Sequence, residues 1–186
     1  MNITVELCAP EDKRIIFNMY PLYLHDLAEI RNVLPNAHGV FEDTDDYDTL
    51  QAQQALFEIW WQKENVLYPF LIRADGLPAG FGLVATPPYL VDDSEYMLNE
   101  FFILRPFRHK QAGERAAMDI FNRFPGKWML FTTEGERNQS TQQFWRKTLS
   151  KYTADGYEET DELLPHFDRG KVFRFNSPGP HPSATL

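Results

Sequence analysis

The chain has 186 residues, enough for one domain with a proper core, and carries 18 basic against 27 acidic side chains for a formal charge of -9. That balance argues against a nucleic-acid or anionic-membrane surface, since both favour a basic excess. The single cysteine, Cys8, leaves no internal disulfide and reads as a buried thiol in a first strand, which fits a reducing compartment. No apolar run reaches membrane-spanning length, and the N-terminus lacks a basic region followed by an apolar one, so the expected location is the cytoplasm.

In chain order, residues 3–8 alternate and predict a strand. Residues 10–30 predict a helix, with Ile15, Ile16, Met19, Tyr23, Leu27 and Ile30 at helical spacing and Pro21 expected to kink or split it. A loop at 40–48 holds Glu42, Asp43, Asp45, Asp46 and Asp48. A second helix follows, with Leu50, Leu56, Phe57, Trp60 and Trp61 on one side. Residues 68–88 predict two strands around an Asp75-Gly76 turn. Residues 95–106 give the longest strand candidate, ended by Pro106.

The stretch "RPFRHKQAGERAAMDIFNRF" (105–124) then opens a helix, with Gly113, Ala116, Ala117, Ile120, Phe121 and Phe124 along one face. Residues 127–133 predict a strand, and 138–150 a helix capped by Asn138. Residues 156–162 and 171–176 predict a final antiparallel pair. The fold class is therefore mixed α/β, with an antiparallel front half and a βαβ crossover over 97–133. One domain is expected over 1–176, with 177–186 a disordered, Pro-rich tail.

A strand running into a helix exposes the first unpaired N–H groups and the positive end of the helix dipole, a ready site for phosphate. Arg105, Arg108 and Lys110 add charge there, and Gly113 permits close approach to the backbone. Neither a Walker loop nor the dinucleotide fingerprint is present. His25, His38, His109, His166 and His181 lack metal-ligand spacing, so no metal is expected.

The segment Arg108-His109-Lys110-Gln111-Ala112-Gly113 resembles the pyrophosphate loop of the GNAT superfamily of N-acetyltransferases. The arginine and the second glycine match, and Gln111 stands where the first glycine would be. "NQSTQQFWRK" (138–147) is similar to a later motif of the same family, and the element order agrees over roughly 3–176. The resemblance implies a mostly antiparallel sheet of six to seven strands, about four flanking helices and a splayed parallel strand pair, 97–104 and 127–133, that receives acetyl-CoA. Backbone groups around Phe102, Ile103 and Leu104 would follow the pantetheine. Amides from His109 to Glu114 would hold the pyrophosphate, Asn138 would reach the pantetheine arm, and Trp145 is either a cofactor contact or core packing.

The acceptor would be a primary amine of a small molecule or a peptide. Glu100, in the apolar strand "LNEFFIL", is the candidate general base, against a structural ion-pairing role; Asn99 is expected on the opposite face. The family's usual acid is a Tyr seven residues after the motif Asn; Trp145 stands there, leaving Tyr152 or Tyr157 as substitutes. Tyr20, Tyr23 and Asp26 are candidate acceptor-binding residues. The acidic cluster is either an attractor for a cationic amine or a solvated loop. A homodimer is expected at family level only. The alternative function is a non-catalytic acyl-CoA sensor or scaffold of the same fold, and a phosphate-binding protein of another fold is the third reading.

Overall fold

A computed structural model describes residues 1–41, 47–165 and 169–179. Glu42, Asp43, Asp45 and Asp46 of the acidic cluster, His166, His181 and residues 180–186 of the tail lie outside them. Seven strands form one sheet: β1 (Ile3–Leu7), β2 (Leu67–Ala74), β3 (Leu77–Ala85), β4 (Tyr96–Ile103), β5 (Gly126–Thr133), β6 (Tyr157–Leu163) and β7 (Arg169–Ser177). Their order across the sheet is β1-β2-β3-β4-β5-β7-β6. Every neighbouring pair is antiparallel except β4 and β5. Asp75 and Gly76 link β2 to β3 with φ of 50° and 83°. Both angles are positive, as this two-residue hairpin turn requires. β4 has eight residues and β3 nine, so the strand expected to be longest is not.

The helices divide between the two faces. On one lie α1 (Lys13–Arg31), α2 (Leu50–Ala55) and α3 (Ile59–Gln62); on the other lie α4 (Ala112–Arg123) and α5 (Gln139–Thr153). Alternation in the strands feeds both cores. Leu71, Phe81 and Leu83 meet Ile16, Met19 and Leu24 of α1, whereas Phe70, Ile72 and Val84 meet Ala116, Ile120 and Phe121 of α4.

Pro21 does not split the first helix. A 3₁₀ turn at Pro10–Asp12 leads into one continuous α-helix that runs through Pro21. Proline supplies no N–H to the carbonyl four residues earlier, here that of Phe17. The Gln54 side chain of α2 donates Nε2–H to that carbonyl at 2.8 Å, so the gap in the ladder is closed from outside.

The second predicted helix is bent. α2 and α3 are joined by a 3₁₀ turn, Leu56–Glu58, and the buried stripe is Gln53, Phe57 and Trp60. Leu50 and Leu56, expected inside, are 45% and 55% exposed. Thr49 caps this segment by accepting the Ala52 N–H at 3.1 Å. Cys8 directly follows β1 and is buried, and that burial, with Asp12 nearby, pushes its thiol up to about 12. Such a thiol is inert at neutral pH.

Candidate active site

The parallel pairing of β4 with β5 is short. It comprises Tyr96↔Trp128, Met97↔Met129 and Leu98↔Leu130, and then stops. Beyond it, β4 stays with β3 as far as Gly80↔Ile103, while β5 stays with β7 as far as Thr133↔Gly170. The two strands therefore part and leave a wedge whose walls are the edges of residues 99–103 and 131–133 that pair with no strand.

A β-bulge marks the point of departure. Leu83 pairs with Glu100 and Val84 with Leu98, which leaves Asn99 as the extra residue. The alternation that would set Asn99 opposite Glu100 is broken there. In consequence Leu98 and Phe101 both belong to the α4–α5 face, and Phe102 to the α1 face. Tyr23 Oη of α1 donates a hydrogen bond to Glu100 Oε2.

Of the strand residues expected to meet a pantetheine, Leu104 is committed elsewhere. Its N–H goes to Ala79 O at 2.8 Å and its carbonyl accepts the Phe107 N–H at 2.9 Å. Antiparallel pairing turns alternate residues to opposite strand edges. The edge facing the wedge therefore belongs to Phe101 and Ile103, and the side chains of Phe102 and Ile103 are core.

The loop at the wide end is built from left-handed backbone. His109 and Gln111 have φ of 60° and 62°, conformations that glycine adopts freely and other residues only at a cost. Gln111 is the N-cap of α4 without a side-chain capping bond; its Oε1 instead accepts from Arg115 Nη2 at 3.4 Å. The first bond of the helical ladder is Arg115 N–H to Gln111 O at 3.1 Å, so the amides of Ala112, Gly113 and Glu114 have no intrahelical acceptor. Gly113 sits against α5: a Cβ there would lie 3.2 Å from the Phe144 ring. The Glu114 carboxylate is buried and held by Lys151 of α5, pointing away from those amides.

The two arginines of the loop turn toward α1. Arg105 Nη2 reaches Asp26 Oδ1 at 2.7 Å, and Arg108 Nη2 bonds Asp26 Oδ2. Burial pushes the Asp26 carboxyl up, but these two guanidiniums outweigh it and hold the group below the usual carboxylate range. Arg108 Nε also donates to Ile103 O at 2.6 Å, and Lys110 Nζ to Pro106 O at 2.9 Å. A cavity of about 450 Å³ opens beside this cluster, lined by Asp26, Glu29, Ile30, Arg105, Arg108, Arg137, Ser140 and Thr141. Arg137, which no sequence motif singles out, reaches Asn32 Oδ1 at 2.6 Å and so ties the end of α1 to the approach to α5.

Asn138 holds the N-cap position of α5 but makes no side-chain capping bond. Its Nδ2 donates to Thr132 Oγ1, Thr133 O and Thr133 Oγ1 at 2.8, 2.6 and 3.0 Å, pinning the end of β5 beside the wedge. The residue is 1% exposed, and its Oδ1 has no hydrogen-bond partner among the described residues. A buried acceptor of that kind carries a desolvation cost that a ligand N–H would relieve.

Trp145 is buried, its ring edge-on to Phe101 at 5.3 Å. Neither tyrosine offered as a substitute acid lies near Glu100. Tyr152 donates to Asn122 Oδ1 at 2.9 Å and bonds Ser177 Oγ, and burial pushes its hydroxyl up; Tyr157 packs on Phe173. Tyr20 is a core residue whose ring meets that of Phe57 at a tilt of 49°, with centroids 3.8 Å apart.

No family model matches the sequence, and no curated protein does. Solved structures match over nearly the whole chain. An acetyltransferase of the GNAT family from Staphylococcus aureus is 14% identical with a TM-score of 0.58, covering 94% of this chain and 99% of its own. The PaiA N-acetyltransferase from Thermoplasma acidophilum, in complex with coenzyme A, is 11% identical with a TM-score of 0.60, covering 95% and 99%. An acetyltransferase from Thermus thermophilus is 14% identical with a TM-score of 0.57, covering 95% and 97%. With its opened β4–β5 pair, its bulged β4 and its helix-start loop, this chain has the fold of the GNAT acetyltransferases.

Proposed function

We propose that the protein is an acetyl-CoA-dependent N-acetyltransferase acting on a primary amine of a small molecule or a peptide. One observation carries this reading. The parallel pair opens after three rungs into a wedge whose strand edges pair with no other strand, and at its wide end stand a helix start without a side-chain cap and the orphaned Asn138 Oδ1.

Those groups fit coenzyme A. Amides of Ala112, Gly113 and Glu114 would face the pyrophosphate, the strand edge of Phe101 and Ile103 would follow the pantetheine, and Asn138 Oδ1 would accept one of its amide protons. Bound there, acetyl-CoA supplies the thioester that is the acetyl donor. Glu100 would take the proton of the attacking amine, directly or through a water, with Tyr23 holding one of its oxygens. Phe101 and Trp145 would exclude water from the narrow end of the wedge. With Trp145 in the usual acid's place, the thiolate would leave without a dedicated proton donor, which a thiol of pKa about 8.5 tolerates.

The same substitution favours the second reading, a CoA-binding sensor without turnover. Thermal-shift titration with acetyl-CoA, CoA and ATP, joined to thiol release across a panel of amines, separates the two. Stabilisation by CoA and acetyl-CoA but not ATP, with thiol release on an amine and loss of that release in Glu100→Gln, is expected. Stabilisation without release on any amine supports the sensor, and no CoA effect removes both.

A further inference from the structure

Asp26 lines the cavity beside Arg105 and Arg108, where an amine-binding carboxylate is an obvious role. Its geometry argues otherwise. Oδ1 accepts from Arg105 Nε and Nη2 at 3.1 and 2.7 Å, and Oδ2 accepts from Arg108 Nη2. A cationic amine would have to displace two guanidiniums from a largely buried group.

Arg108 ties this contact to the strand. Its Nε holds Ile103 O, and its guanidinium lies 5.4 Å from the Phe102 ring centroid. The Phe102 ring in turn meets the Tyr23 ring at 5.7 Å, and Tyr23 Oη reaches Glu100. Tyr23 and Asp26 are three residues apart on α1 and therefore share a face. Both follow Pro21, where the helical ladder has lost a bond. Leu24 and Ala28 pack the last turns of α1 into the core, and these side-chain ties add to that packing on the β4 side.

We propose that Asp26 is a positioning residue: by clasping Arg105 and Arg108 it fixes α1 so that the Tyr23 hydroxyl stays on Glu100. The consequence for catalysis rests on Glu100 acting at the reaction centre, but the structural coupling does not. Phosphate binding falls to the loop amides, so removing the Asp26 charge frees two cations near the loop and does not weaken CoA.

The test uses the full chain with glutamate labelled by ¹³C at the side-chain carboxyl. The Glu100 resonance, assigned with Glu100→Gln, is read at one fixed pH in wild type, Tyr23→Phe, Asp26→Asn and Arg108→Gln, with folding checked by near-UV dichroism. Asp26→Asn is expected to displace the resonance in the same direction as Tyr23→Phe and at least half as far. CoA affinity by calorimetry should stay within about threefold of wild type or rise. Where an amine is turned over, kcat falls and the acceptor KM holds.

A Glu100 resonance that stays put in folded Asp26→Asn and Arg108→Gln overturns the proposal. So does a raised acceptor KM with kcat unchanged, which would return Asp26 to substrate binding. Wild-type protein that fails to bind CoA defeats the acetyltransferase reading alone and leaves the resonance comparison standing.

Discussion

Gln54 donates its side-chain N–H to the Phe17 carbonyl at 2.8 Å, and that carbonyl is the one Pro21 leaves without its helical donor. A residue 37 positions away in sequence thus completes the ladder of α1. Gln54→Leu strands a carbonyl among core residues and is expected to cost about 1–3 kcal/mol. Chemical denaturation measures it, with exposed Gln51→Leu as the control expected to stay near wild type.

Gln111 occupies a left-handed conformation with φ of 62° and makes no capping bond. Gln111→Gly is expected to raise stability by about 1 kcal/mol through relief of that conformation. CoA affinity should change little, because in the proposed complex the backbone amides and not this side chain would face the ligand. Calorimetry and thermal melts on the same variant check both halves.

Gly113 opens α4 with no side chain and packs against Phe144 of α5. A Cβ would sit 3.2 Å from Phe144, so even Gly113→Ala presses on α5 and should lower the melting temperature by a few degrees. Gly113→Val should abolish CoA binding as well. Adding Phe144→Leu to Gly113→Ala opens space and should recover stability, read in the same melts.

Glu162 on β6 is held down to about 2, chiefly by hydrogen bonds from Arg174 and then from Thr160. Glu159 is likewise held below its usual range, first by its hydrogen bonds from Arg146. A carboxyl depressed in the folded state stabilises fully above its unfolded value and loses that contribution as pH falls through the folded one. The β6–β7 edge should therefore melt progressively earlier from about pH 5 down to pH 2. Glu162→Gln should flatten the low-pH part of that profile while lowering stability at pH 7.

Local signals were readable in the sequence, and long-range ones were not. Asp75-Gly76 announced its hairpin because the turn's positive φ angles demand those residue types. The Gly113–Phe121 spacing announced α4 because one face of a helix must be apolar. The βαβ crossover followed from element order. The β4 bulge, by contrast, depends on how Leu83 and Val84 register with Glu100 and Leu98, which no window of β4 contains. Likewise the basic residues of 105–110 were legible as charge, but their destination was not, since Asp26 lies 79 residues from Arg105. Asn138 read as a helix cap because caps are local; its real partners, Thr132 and Thr133, lie on β5.

The central claim is that coenzyme A lies in the wedge between β4 and β5. A crystal structure of the protein grown with CoA tests it most directly. Density running from the Phe101–Ile103 edge past Asn138 to the amides of Ala112–Glu114 is the expected result. An empty wedge at saturating CoA, or CoA bound on another surface, would contradict it.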